Sequence, residues 1–227
     1  MSDDAPFHAL AKLLDERWTC RQFLPDEVPQ PDVERLLALA QRTPSWCNTQ
    51  PWRVEVTRGE ATARLRAAYA KHVMTHPQEP DFAFPTAYTG TYQQRRRECG
   101  FQLYDSVGIA KEDSGRRLEQ MLRNFEFFGA PHVAIVTTED DLGTYGAIDC
   151  GLWIGAFLLG AQSLGIAAAP QAALAGHPAL LREHFDLPEH RKVVVGISFG
   201  YADLDHPVNG FRTSRAGLDD VVTWHDA

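Results

Sequence analysis

The chain has 227 residues, 44% of them hydrophobic and 23% charged, with a formal net charge of −8. That mixture can bury a real core, in one large domain or two small ones. The acidic balance excludes generic nucleic-acid binding, which needs a basic surface, but leaves room for a local basic pocket.

Cys20, Cys47, Cys99 and Cys150 lie far apart without CxxC or Cys/His ligand spacing, and read as free thiols of a reducing compartment. The N-terminus MSDDAPFHAL lacks the basic and apolar regions of a signal peptide. A cytoplasmic protein with no nucleic-acid or membrane partner is expected.

In PDVERLLALAQRT (31–43), Val33, Leu36, Leu37 and Ala40 share one helical face. Pro31 suits a first turn, Asp32 and Glu34 suit the positive helix end, and Pro44 closes the element. TPSWCNTQPW (43–52) follows, with more hydrogen-bonding side chains between two prolines than a plain linker needs. WRVEVTRG (52–59) alternates like a half-buried strand, and ATARLRAAYAKHV (61–73) is helical. Residues 75–92 are rich in Pro, Thr and aromatics and have no period, which suggests a functional lid.

Residues 92–110 and 114–130 read as helices, and HVAIVTT (132–138) as a short buried strand. A long apolar helix is expected over 148–166. The apolar run 151–169 nearly reaches membrane-spanning length, but Gln162, Ser163 and four glycines dilute it. It reads as a buried helix, apolar on nearly every face, with a second subunit as natural cover. GIAAAPQAAL (165–174) reads as a tight turn between helices, or as a loop whose backbone approaches a flat ligand. HPALLREHFDL (177–187) is helical, KVVVGISFGYAD (192–203) is a strand, and the tail after 209 begins basic and turns β-like. Three or four strands among so many helices give an α+β class.

Arg17, Thr19 and Arg21 stand at alternate positions in ERWTCRQF, and Arg212, Ser214 and Arg215 cluster in FRTSR. Forked guanidiniums with hydroxyls grip phosphate, although either cluster alone also describes a solvated surface. There is no phosphate loop, GxGxxG or GxSxG. His177 and His184 have no third ligand nearby and read as surface or capping residues, so no metal is expected. Arg95, Arg96 and Arg97 read as a solvated helix face, with a substrate carboxylate as the second reading.

Taken together, these stretches resemble the flavin-dependent nitroreductase family, most nearly the branch that reduces nitrobenzoate-type aromatics. ERWTCRQF resembles its Arg-x-Ser/Thr-x-Arg/Lys segment, and TPSWCNTQPW its Pro-Ser-x-x-Asn-x-Gln-Pro-Trp signature. APHVAIV resembles its first core strand, GIAAAPQAAL its flavin-ring loop, and ISFGYAD with RTSRAGLDDVV its C-terminal strand and tail. The resemblance implies an α+β fold with a central mixed or antiparallel sheet flanked by helices. It also implies one domain over 1–227, an insertion at 75–120, a C-terminal arm at 204–227 and an intertwined homodimer.

By position, Arg17 and Thr19, with Trp18 beside them, would meet the FMN phosphate and ribityl chain, joined by Arg212, Ser214 and Arg215. Arg21 and Asn124 would face the flavin pyrimidine edge, and Pro44, Ser45 and Asn48 would reach it from the other subunit. Backbone at Pro170, Gln171 and Ala172 would face the reactive nitrogen; Ala172 stands where many relatives have Gly, and Gly217 where Pro is common. The implied activity is ping-pong reduction of nitroaromatic compounds, with NADH or NADPH as donor and a small aromatic as electron acceptor. No side chain serves as nucleophile or base. Quinone or enone reduction, dehalogenation, flavin fragmentation, or a non-catalytic flavin-binding or redox-sensing dimer are the alternatives.

Overall fold

Val133, Ala134, Ile135 and Val136 are all fully buried, and a strand with no solvent face needs cover on both sides. The computed structural model, which describes residues 4–225, provides that cover. Strands β1 (Arg53–Thr57), β2 (His132–Glu139), β3 (Ala167–Gln171) and β4 (Arg191–Gly200) form one antiparallel sheet in the order β1-β2-β4-β3. Val133 and Ile135 join an apolar cluster on one face, Ala134 and Val136 a second cluster on the other.

Strand β4 serves both clusters through a bulge. Val136 pairs with Val195 but Thr137 pairs with Val193, so Val194 is the extra residue. Val193 therefore packs with Val133 and Ile135, whereas Ile197 and Phe199 pack on the opposite face. Without the bulge these three odd-numbered residues would share a face.

The helices are α1 (Ala5–Glu16), α2 (Gln30–Ala40), α3 (Glu60–His72), α4 (Gly90–Ser106) and α5 (Ser114–Leu122). They continue with α6 (Gly143–Ser163), α7 (Ala172–Ala175) and α8 (Pro178–Phe185). Helix α2 buries Val33, Leu36 and Ala40 as its period predicts, and ends at Ala40, whose carbonyl accepts from Thr43 Oγ1 at 2.7 Å.

Several elements differ from expectation. Helix α1 is not among the expected elements, although Phe7, Leu10 and Leu14 stand at helical spacing; all three stay exposed in the single chain. The helix expected to run to residue 130 stops at Leu122 and gives way to 3-10 turns, with Phe127 and Phe128 at φ 60° and 54°. Both rings are buried, and that burial holds a backbone few residues adopt. GIAAAPQAAL is not a turn between helices, since Ala167–Gln171 is strand β3. Ala168 and Ala169 enter opposite cores, and alternation written in alanine leaves no polarity signal. The tail forms no strand among the described residues; it is extended chain with a 3-10 turn at Leu218–Asp220.

Helix α6 begins five residues before the predicted start and buries one stripe, including Cys150, Trp153, Phe157 and Ala161, against the sheet and α2. Gly160 permits this approach, because a Cβ there would meet Leu36 Cδ1 at 2.9 Å. By length and composition alone α6 could cross a membrane. In the single chain it is buried along that one stripe only, and Ile148 and Leu152 remain 50% exposed, so one chain does not cover it all round.

Gly196 faces Gln171 across β3 and β4, and a Cβ there would meet Leu174 Cδ1 at 2.5 Å. The bare backbone lets α7 fold back onto the sheet directly after Gln171, where Tyr69 Oη donates to the Leu174 carbonyl at 2.8 Å. Gly196→Ala should lower unfolding free energy by about 1–3 kcal/mol through overpacking, measured by urea denaturation.

Two buried histidines set a pH dependence. His132 Nε2 accepts the Val28 N–H at 2.9 Å, which requires a neutral ring. Burial pulls His132 below the ordinary value of 6.5, and burial followed by the neighbouring His72 and His76 pulls His177 down as well. The unfolded chain therefore binds protons that the native state refuses. This stability is complete above 6.5 and is lost as pH falls through the lower native values. The urea midpoint should fall between about pH 7 and pH 5 with little change in slope.

Candidate functional site

After α1 the chain turns extended at Arg17 and runs beside the free edge of β3. Thr19 bridges Ala168, Phe23 bridges Ala202, and the Cys20 N–H donates to the Ala168 carbonyl at 3.2 Å. An extended chain alternates its side chains. Cys20 is buried in the core, while Arg17, Thr19 and Arg21 line a common cavity outside it.

The C-terminal tail crosses this segment. Its anchor is Asn209, a buried side chain the sequence reading missed, since nothing in VNGF marks an internal staple. Asn209 Nδ2 donates to the carbonyls of Gln22 (2.8 Å) and Asp203 (2.7 Å), and its Oδ1 accepts from the Arg21 N–H at 2.8 Å. Beyond it, Arg212 lies 4.2 Å over the Trp18 ring and Arg21 lies 5.2 Å over Phe211. The result is a cavity of about 220 Å³ that joins Arg17, Thr19 and Arg21 to Arg212 and Arg215.

The cavity lining sets four guanidiniums against one carboxylate, Asp15. Arg212 donates to the carbonyls of Asn209 and Phe211, Arg21 to that of Thr19, and Arg215 to Thr213 and Ser214. Among the described residues, no carboxylate lies within ion-pair distance of these four guanidiniums. Burial, and then the like charge of Arg215, pulls Arg17 below the ordinary arginine value; burial does the same to Arg21. Such a concentration of fixed donors complements a phosphate.

Ser214 is placed differently from its neighbours. Its hydroxyl faces Glu98 on α4 at 3.5 Å, and it lines an adjoining cavity of about 500 Å³ with Arg95 and Arg215. Of the three consecutive arginines, Arg96 lies over Tyr88, all three are exposed, and only Arg95 lines that adjoining cavity.

Asn124 and Gln171 meet directly. Gln171 Nε2 donates to the Asn124 carbonyl at 2.9 Å and to Asn124 Oδ1 at 3.2 Å. Arg123 Nη2 reaches Gln22 Oε1 at 2.5 Å, which ties this turn to the arginine-bearing segment. Pro170 pairs with Ile197 in the sheet, and Ala172, exposed, opens α7.

Pro44, Ser45 and Asn48 do not line the arginine cavity. Their loop is bound to its own flanks and to α6. Ser45 Oγ accepts from the Gln50 N–H at 2.9 Å, Gln50 Nε2 donates to Asn48 Oδ1 at 3.1 Å, and Gln41 Nε2 donates to Gln50 Oε1 at 3.0 Å. The buried Asp149 carboxylate accepts the Trp46 N–H at 3.1 Å. Cys47, Asn48 and Gln50 all have positive φ, a strained backbone for three non-glycine residues. The loop is largely exposed in the single chain.

His177 stands at the N-cap position of α8, though its side chain makes no cap bond, and it is not at the surface: it is buried among Tyr69, His72 and Phe125. His184 is half-buried on α8. The four cysteines are free, and burial pushes Cys20 up to about 11 and Cys150 up to about 12.

Residues 14–201 match the family model described as Nitroreductase family. The chain belongs to the nitroreductase family. This nitroreductase-family chain is 37% identical over 218 residues to Nitroreductase NfnB of Mycolicibacterium smegmatis, covering 94% of this chain and 92% of that protein. It is 31% identical over 199 residues to a 4-nitrobenzoate reductase of Pseudomonas putida, covering 88% of each. The crystal structure of the FMN-dependent nitroreductase NfnB from Mycobacterium smegmatis in complex with NADPH superposes with a TM-score of 0.92. That pair is 35% identical, over 97% of this chain and 99% of that one.

In this nitroreductase-family chain the unpaired arginines predict a measurable affinity for small multivalent anions. Inorganic phosphate should raise the melting temperature of flavin-free protein by ligand linkage. The rise should shrink in Arg17→Ala and in Arg215→Ala, measured by thermal unfolding at constant ionic strength.

Proposed function

We propose that this chain is an FMN-dependent, NAD(P)H-driven reductase of nitroaromatic compounds that works as a homodimer in the cytoplasm. The carrying observation is the cradle of Arg17, Arg21, Arg212 and Arg215 beside the edge of β3, four guanidiniums that form no ion pair among the described residues although Asp15 also lines the cavity. It suits the dianionic phosphate of a flavin mononucleotide, and it stands in a chain whose relatives are named nitroreductases and nitrobenzoate reductases.

The chemistry that bound FMN would supply is two-electron transfer from NADH or NADPH to a small aromatic acceptor. Arg17, Thr19, Arg212 and Arg215 would hold its phosphate and ribityl chain, packed beside Trp18. Arg21 is anchored by the Thr19 carbonyl and the Phe211 ring, and would set a fixed positive charge against negative charge at the pyrimidine edge. Asn124 would bind the same edge, and the backbone around Pro170, Gln171 and Ala172 would line the ring. Residues 75–120, which carry α4 and α5, would form the insertion that screens the site from water.

The dimer reading rests on apolar surface left open in one chain: Phe7, Leu10 and Leu14 on α1, and Ile148 and Leu152 on α6. A second copy would cover these faces. It would also bring the exposed loop with Pro44, Ser45 and Asn48 to its neighbour's arginine cradle, as the free thiols suit a reducing compartment.

Purified protein should be yellow, bleach on addition of NADH or NADPH, and recover colour with a nitroaromatic acceptor, with turnover above about 1 per second. Asn48→Ala should weaken FMN retention more than it lowers folding stability. Protein without any flavin affinity, or with flavin but no turnover on any acceptor, would sink this reading.

A further inference from the structure

Ser198 is fully buried on central strand β4, and nothing in the reduction chemistry uses it. Its hydroxyl is nevertheless the start of a directed chain of hydrogen bonds. Ser198 Oγ donates to Gln171 Oε1, and Gln171 Nε2 donates to the carbonyl of Asn124 and to Asn124 Oδ1. Asn124 Nδ2 in turn donates to the Met121 carbonyl at 2.9 Å.

The direction of this chain is over-determined. A backbone carbonyl only accepts, so the Asn124 carbonyl requires nitrogen at that end of the Gln171 amide. The Met121 carbonyl imposes the same condition on the Asn124 amide. Flipping either side chain would set oxygen against oxygen. With its nitrogen committed, Gln171 presents oxygen to Ser198, and the hydroxyl must donate. Asn124 keeps one Nδ2 hydrogen and part of its Oδ1 capacity uncommitted. Its amide is thus held from the sheet on one side and from the end of α5 on the other.

We infer that Ser198 is a positioning residue for the flavin's pyrimidine edge: the Asn124 and Met121 carbonyls set which end of each amide donates, and Ser198, by anchoring the far end of Gln171, holds the Asn124 amide in place. The inference rests on the proposed FMN reading. The pyrimidine edge alternates carbonyl acceptors with an N–H donor, so a ligand amide serves it only if donor and acceptor are not interchanged. A fixed donor against a flavin carbonyl also favours the reduced, more negative state. Ser198 reaches the redox site without touching it.

The test compares wild type, Ser198→Ala, Ser198→Thr and Gln171→Met by FMN dissociation constant, flavin midpoint potential and melting temperature. Ser198→Ala should weaken FMN binding about two- to tenfold, the span of one neutral hydrogen bond, and make the midpoint potential more negative. Ser198→Thr keeps the hydroxyl and should restore both. Gln171→Met carries no donor for Asn124 and adds no charge, and it should reproduce the alanine effect, which carries the test if Ser198→Ala does not fold. A lower melting temperature with wild-type potential and FMN affinity would overturn the inference, leaving a network that only holds the fold. Wild-type protein with no FMN affinity would instead overturn the flavin reading, and the inference with it.

Discussion

The single extra residue at Val194 sets the geometry on which the rest of this fold depends. Strand β4 pairs on both sides, so its parity decides what each face of the sheet can hold. The bulge turns Val193 toward one core and Ile197 and Phe199 toward the other. It also places Gly196 and Ser198 on the face shared with Gln171. Gly196 leaves the space that Leu174 fills, and Ser198 supplies the bond that anchors the far end of Gln171. A strand without that slip would point methyl and ring carbons where the polar network now stands.

Electrostatic strain is concentrated on the opposite side of β3. Four guanidiniums share one region without carboxylate partners, and burial lowers the proton affinity of two of them. They are held apart by carbonyls and aromatic faces, which anchor a cation without neutralising it. The Asn209 amide brings the tail to this place. A site built in this way destabilises the empty chain and gains when an anion arrives, which is the thermodynamic form of a preorganised pocket.

Apolar surface and strained loop lie together on the α6 side. Trp46 packs edge-on against Tyr145 at 4.2 Å, and Asp149 grips the Trp46 amide, so the loop rides on the same helix whose outer stripe stays open. In a single chain the motif around Ser45 and Asn48 stands apart from the arginine cradle.

Legible in the sequence were the α+β class, β1, β2 and β4, most of the helices, and Thr19 and the four arginines of the cradle, though not the separate place of Ser214. These rest on local patterns: alternation, helical spacing, and residue chemistry read at short range. Tertiary structure alone decided what depends on distant pairing. Strand β3 is invisible in a run of alanines until β4 pairs with it. Asn209 becomes a staple only when the tail crosses residues 17–23, and Ser198 gains its direction only from carbonyls that lie far away in the chain. Local sequence specifies which groups are present; long-range packing specifies which way they point.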